Sequence, residues 1–268
     1  MSGAAARTDW AGTAHSRAVA PRIACLVPSL TETLFALGLG ERVVARTGFC
    51  IHPREGVRRV PKVGGTKDPD LGKLAALAPT HLVVNVDENR RGDVDAARAF
   101  IPHVVVTHPL GPHDNARLLR LLGGVFGREA EAGGMVAGVE AALAAADAAG
   151  SALPRERVLY VIWRNPWMTV SRDTYIASTL ARVGWDTLPA SAGLRYPVVG
   201  DDDPAWRTAA RILLSTEPYA FRERDARALR ERLHKPVHIV DGEWTSWYGV
   251  RACAGLRALA AFRASLGE

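Results

Sequence analysis

Residues 129–148 read EAEAGGMVAGVEAALAAADA. The stretch is rich in Ala, the best helix former, and lacks Pro, so it predicts one long helix despite Gly133, Gly134 and Gly138. Gly150, Ser151 and Pro154 follow in the order that closes helices. At 1.5 Å per residue, such a helix spans about 30 Å, roughly the width of a small domain. It sits near the middle of 268 residues, with strand–helix alternation on either side. The pattern reads as a rigid strut joining two lobes, with the functional surface in the cleft between them.

Upstream of the strut, RIACLV (22–27) predicts a buried strand, followed by LTETLFALGLG as a helix. Ser29 with Glu32 three residues on has the spacing of a capping box. Further strands are expected at 43–46, 81–86 and 103–107, and helices at 70–78, from the DENRRGD loop to Phe100, and at 115–126. Downstream, strands are expected at 157–163, 211–215 and 237–241. RNPWMTVSRD (164–173) reads as a turn with a hairpin-like extension, and helices are expected at 174–183, 225–233 and 248–266. Both halves open with a strand and a Gly-terminated helix, and both later deliver a strand from a helical stretch: LAALAPTHLVVN in one, WRTAARILLSTEP in the other. Such alternation makes parallel sheets with helices on both faces, and ligands then bind outside the carboxyl ends of the strands. The expected division is a disordered tail over 1–21, an α/β lobe over 22–126, the connecting helix over 127–152 and a second α/β lobe over 153–268.

Hydrophobic residues make up 48%, enough for a full core. No uninterrupted apolar run reaches the roughly eighteen residues needed to cross a bilayer. The first 21 residues have no apolar core of a signal peptide, so as written the chain reads as cytoplasmic, or periplasmic if its start is misassigned. The net charge of +6 comes almost wholly from scattered Arg, which argues against a nucleic-acid partner. Three widely spaced Cys argue against a disulfide framework and suit a reducing compartment. No GxSxG, HExxH or P-loop occurs, and no catalytic constellation emerges.

Five segments taken together resemble the helical-backbone periplasmic-binding-protein superfamily, the class of cobalamin, siderophore and haem receptors. They are VPSLTETLFALGLGERVVART, FCIHP, KVGGTKDPDLGKLAALAPTHLVV, LLSTEPYAF and VDGEWTSWYG. The resemblance runs over about residues 22–266 and is closest to the cobalamin-receptor-like branch. It implies two Rossmann-like lobes, little hinge motion and one ligand in the cleft; the expectation is a monomer that binds a metal chelate without catalysis or an intrinsic cofactor. By position it implies that Phe49 packs on the ligand, that Glu243 contacts it, and that Trp163 and Trp167 line the second-lobe wall. Thr66 and Trp247 stand where the receptor carries a Trp and an Arg, and Tyr196 replaces a Trp beside Pro197. An ABC permease would be the partner, but Gly72 stands where the receptor's first-lobe docking acid is found.

From the residues themselves, Trp163, Trp167, Trp244, Trp247 and Tyr248 cluster in or beside strand-end loops, and planar rings suit a large flat ligand. Arg164, Arg195 and Arg251 could grip carboxylates by bidentate bonds, or simply face solvent. Glu88 could meet a polar ligand edge or cap a helix. Cys50 and His52 are candidate axial ligands to a chelated metal. The expected function is binding of a corrinoid, haem or ferric siderophore. The alternatives are an exported ABC-importer receptor and a cytosolic cofactor-handling enzyme or chaperone on the same fold.

Overall fold

The computed structural model describes residues 7–190 and 193–266, and the chain falls into two α/β units. The first holds β1 (Ile23–Cys25), α1 (Pro28–Ala36), β2 (Val43–Arg46), α2 (Arg54–Val57), α3 (Leu71–Ala76), β3 (His81–Asn85), α4 (Arg91–Ala97), β4 (His103–Thr107) and α5 (Asn115–Phe126). Its sheet is parallel, in the order β2-β1-β3-β4. Strands β1 and β3 are buried on both faces, as their unbroken apolar runs demand. Helix α5 closes the core with Leu118, Leu119, Leu121, Leu122 and Val125, all fully buried. Each such side chain contributes about 2 kcal/mol of hydrophobic stabilisation.

Helix α6 (Glu129–Ser151) follows, where the Ala-rich run predicts it. Its buried residues form one stripe, Ala132, Val136, Val139, Ala142 and Ala146, at helical spacing. The first three belong to the first unit and the last two to the second. By length and mean hydropathy, 1.2 over 18 residues, α6 could match a membrane span, although only 28% of that window is buried. The apolar score comes from Ala and Gly, and Glu140 and Asp147 interrupt the run.

The second unit holds β5 (Glu156–Trp163), β6 (Met168–Thr169), α7 (Tyr175–Arg182), β7 (Trp185–Thr187), α8 (Pro204–Thr208), β8 (Arg211–Ser215), α9 (Glu223–Leu233), β9 (Val237–Val240), α10 (Gly242–Ser246) and nearly all of α11 (Arg251–Ser265). Strand β5 pairs in parallel with β7 on one side and with β8 on the other, and β8 pairs with β9. The order β7-β5-β8-β9 thus repeats the first unit's β2-β1-β3-β4. Strand β6 adds the short antiparallel return expected from RNPWMTVSRD.

Before α11 the chain returns to the first unit over Tyr248–Arg251. There Asn115 Oδ1 accepts the Gly249 amide at 2.6 Å, Thr33 Oγ1 accepts the Val250 amide at 3.1 Å, and Arg251 forks onto Glu32 at 2.7 and 2.6 Å. Gly249 sits at φ +80°, and a Cβ there would lie 2.1 Å from Thr33 Oγ1, so the position requires Gly.

Two sequence expectations are corrected. The Ser29–Glu32 capping box does not form: Val27 is the N-cap without a side-chain bond, and Pro28 occupies the first turn. Pro suits that position because its missing N–H has no helical partner there, so the helix starts earlier and leaves Glu32 for Arg251. The tail is also not disordered from residue 7 onward; residues 1–6 lie outside the described residues. Asp9 accepts from the amides of Ala11, Thr13 and Val106 and meets His15 Nε2 at 3.1 Å, while the Trp10 amide donates to the Val106 carbonyl on edge strand β4. Burial alone would raise the Asp9 carboxyl, but its bonds to His15, Val106 and Thr13 outweigh it and hold it below its ordinary value.

Candidate functional site

In an open parallel sheet, the place to look is the point where strand order reverses, outside the carboxyl ends. In the first unit that point lies between β1 and β3. Glu88 follows β3 and accepts the Tyr248 phenol. Burial, and then the Glu88 charge, push that phenol well above its ordinary value, so it stays a donor. Asn89 holds the neighbouring loop by donating to the Thr66 carbonyl at 3.0 Å. Phe49, in the turn after β2, is 63% exposed although its side chain is wholly apolar. Cys50 beside it turns inward and is fully buried, with Thr31 and Thr47 hydroxyls 3.2 Å from its sulfur. Burial raises this thiol, which opposes the thiolate an axial ligand needs. The expected axial role of Cys50 finds no support in this placement, because the sulfur is enclosed and has no exposed surface. His52 is half-buried, and no cluster of three metal-ligating side chains occurs among the described residues.

In the second unit the reversal lies between β5 and β8. Trp163 ends β5, 40% exposed, with Tyr219 edge-on at 5.7 Å between ring centroids. Arg164 pairs with the buried Asp225 at 2.7 Å and lies 5.4 Å over Trp167. Trp167 stacks on Phe221 and donates Nε1 to Asp201, so much of its surface serves the unit's own packing. Beyond β9, Asp241 caps α10 by accepting the Glu243 amide at 3.0 Å. Trp247 is 7% exposed and donates Nε1 to Glu217 at 2.7 Å, and Ser246 donates to the same oxygen at 2.7 Å. Burial and the nearby Glu243 and Asp241 charges raise the Glu217 carboxyl, against the two hydrogen bonds. Trp244 and Tyr196 are half-buried against the core that contains Tyr160 and Trp185. Arg195 is half-buried, and its carbonyl accepts the Ser171 amide.

The structure thus brings Glu88 to Tyr248, and Trp163, Arg164 and Trp167 into one aromatic–cationic patch. Arg251 lies on Glu32, with its guanidinium fork occupied. Glu217 and Tyr219 were missed by the sequence reading. Their signal was present: a carboxylate and an aromatic directly after the strand at 211–215, in STEPY.

The profile of a family described as periplasmic binding proteins matches residues 23–221. No curated protein sequence matches the chain. Solved structures do. The periplasmic vitamin B12 binding protein BtuF of Vibrio cholerae is similar at TM-score 0.80 and 15% identity, over 92% of this chain and 98% of that one. The periplasmic haem-binding protein RhuT from Roseiflexus sp. RS-1 is similar at TM-score 0.78 and 20% identity, over 92% and 99%. A periplasmic haem-binding protein from Pseudomonas aeruginosa is similar at TM-score 0.74 and 20% identity, over 90% and 92%.

Proposed function

Because the chain belongs to the periplasmic binding protein family, we propose that its strand-end loops bind a metal chelate: a corrinoid, a haem or a ferric siderophore. The family is non-catalytic, so the chain is a solute-binding protein and not an enzyme. The cytoplasmic expectation is overturned, since the family and the solved structures are periplasmic binding proteins. That expectation rested on what the opening residues lack, which says nothing about a chain of an exported class.

The observation that carries the ligand reading is the exposure of Phe49 and Trp163 at the strand ends. Water disfavours each ring, and a flat apolar ligand would cover it. In this reading Phe49 is the ring that the first unit offers to a ligand face, with Glu88 as its polar group. In the second unit Trp163 is the ring, and Arg164, Arg195 and Glu243 are the polar groups. Tyr248 and Trp247 are buttresses that hold Glu88 and Glu217. B12 and haem are bound by the similar proteins named above, and both are planar metal chelates with polar rims.

Titration of the purified chain with hydroxocobalamin, haemin and ferric chelates tests this, with absorbance and Trp quenching as readouts. Saturable binding of one class, weakened by Phe49→Ala and Trp163→Ala, is the expected result. No response to any of them below about 100 μM, roughly −5.5 kcal/mol, would overturn it.

A further inference from the structure

The three cysteines form no disulfide and lie far apart in sequence, yet the fold brings Cys25 and Cys50 to one hydroxyl, that of Thr31. Cys25 is the last residue of β1 and lies in register with Arg46, the last residue of the neighbouring β2. Four residues later Cys50 closes a turn by donating its amide to the Thr47 carbonyl, and Arg46 holds that turn by donating to the Thr47 and Cys50 carbonyls. Cys25 Sγ lies 3.4 Å from the Val27 carbonyl oxygen. Thr31 Oγ1 donates to that same oxygen at 2.9 Å and stands 3.2 Å from Cys50 Sγ. Both sulfurs are fully buried, and each thiol feels the Thr31 hydroxyl. Cys253, by contrast, is half-buried in the second unit.

We propose that Cys25 and Cys50 form a disulfide when the chain folds in oxidising surroundings, such as those of an exported protein. The bond would tie the turn carrying Phe49 to the end of β1. The oxidant is a small-molecule or protein disulfide. One cysteine thiolate attacks a sulfur of the donor, forming a mixed disulfide and releasing one donor thiolate. The second cysteine, as thiolate, then attacks the protein sulfur of that mixed disulfide and releases the other donor thiolate. Two protein thiols are oxidised, one donor disulfide is reduced, and the two protons end on the donor thiols. Burial raises both thiols in the folded chain. The exchange therefore belongs to folding, before the sulfurs are enclosed.

This inference concerns the thiols alone and stands apart from the ligand reading. The test is to refold the full chain in a buffer of oxidised and reduced glutathione, alkylate it under denaturing conditions without reductant, and map the peptides. The expected result is a linked Cys25–Cys50 peptide, lighter by two hydrogen atoms than the free pair, with Cys253 alkylated. The melting midpoint should fall on reduction, and Cys50→Ser should abolish that difference. Alkylation of all three cysteines in chain with native circular dichroism, or a bond to Cys253 in place of this one, would overturn the proposal. Where refolding yields no native chain, the same map on chain secreted into a bacterial periplasm behind an added leader decides between the same outcomes.

Discussion

Glu217 stands directly after β8 and accepts from Ser246 and Trp247. Its carboxyl is raised in the folded chain, so folding favours its protonated form. The stability it contributes is present below its unfolded value and is lost as pH rises through the folded one. Glu217→Gln keeps an oxygen for Ser246 and Trp247 but cannot ionise. Its melting midpoint should exceed that of the parent at pH 8, and the gain should vanish near pH 4, as scanning fluorimetry would reveal. Asp9 has the opposite sign. Its lowered carboxyl adds stability above the unfolded value, and that stability drains away as pH falls through the folded value. Trp163→Ala should weaken chelate binding by about 2 kcal/mol, some thirtyfold, in the titration above. Position was legible where residues follow strands: Trp163 ends β5, and Glu88 and Glu243 come just after β3 and β9. It was not legible where a side chain's direction decides, because only the fold turns Cys50 inward and Arg251 onto Glu32.

Helix α6 contains glycines in two very different settings. Gly133 and Gly134 are exposed, and a Cβ on either would meet nothing within 4 Å. Gly133→Ala and Gly134→Ala should each stabilise the chain by about 0.5–1 kcal/mol, read from denaturant midpoints. Gly150 lies near the other end, and a Cβ there would fall 2.1 Å from the Arg182 carbonyl oxygen. Gly150→Ala should destabilise by more than about 1 kcal/mol, because backbone on both sides would have to move. The long elements were legible from sequence because propensity and periodicity agree over many residues. The short ones were not: β7 is three residues long, and α8 and α10 are five each. So little sequence carries no period, and β7 exists because β5 offers it an edge. The ordered segment over residues 7–20 was hidden for a related reason. Its order comes from one carboxylate gathering backbone amides, which composition does not reveal.

Part of the chain's Arg content is neutralised within the fold. Arg155, Arg164, Arg182, Arg211, Arg230, Arg232 and Arg251 each lie within 4 Å of a carboxylate. These pairs cancel, so the net charge of +6 comes from the other cations, which the sequence scatters along the chain. Gel-shift titration of the full chain with duplex DNA in about 150 mM salt should show no complex at micromolar protein; a steeply salt-dependent shift would contradict this. The twofold repetition was legible from the sequence, but its completeness was not. Only with β7 in place do both sheets share one strand order. The chain's path has a practical consequence for anyone dividing the gene. A fragment ending within α6 would keep every strand of the first sheet yet lose Tyr248–Arg251, leaving Glu88, Asn115, Thr33 and Glu32 without the groups they hold. Complementary fragments cut in α6 should therefore express poorly alone, and a permuted gene would need that four-residue clasp grafted back beside α5.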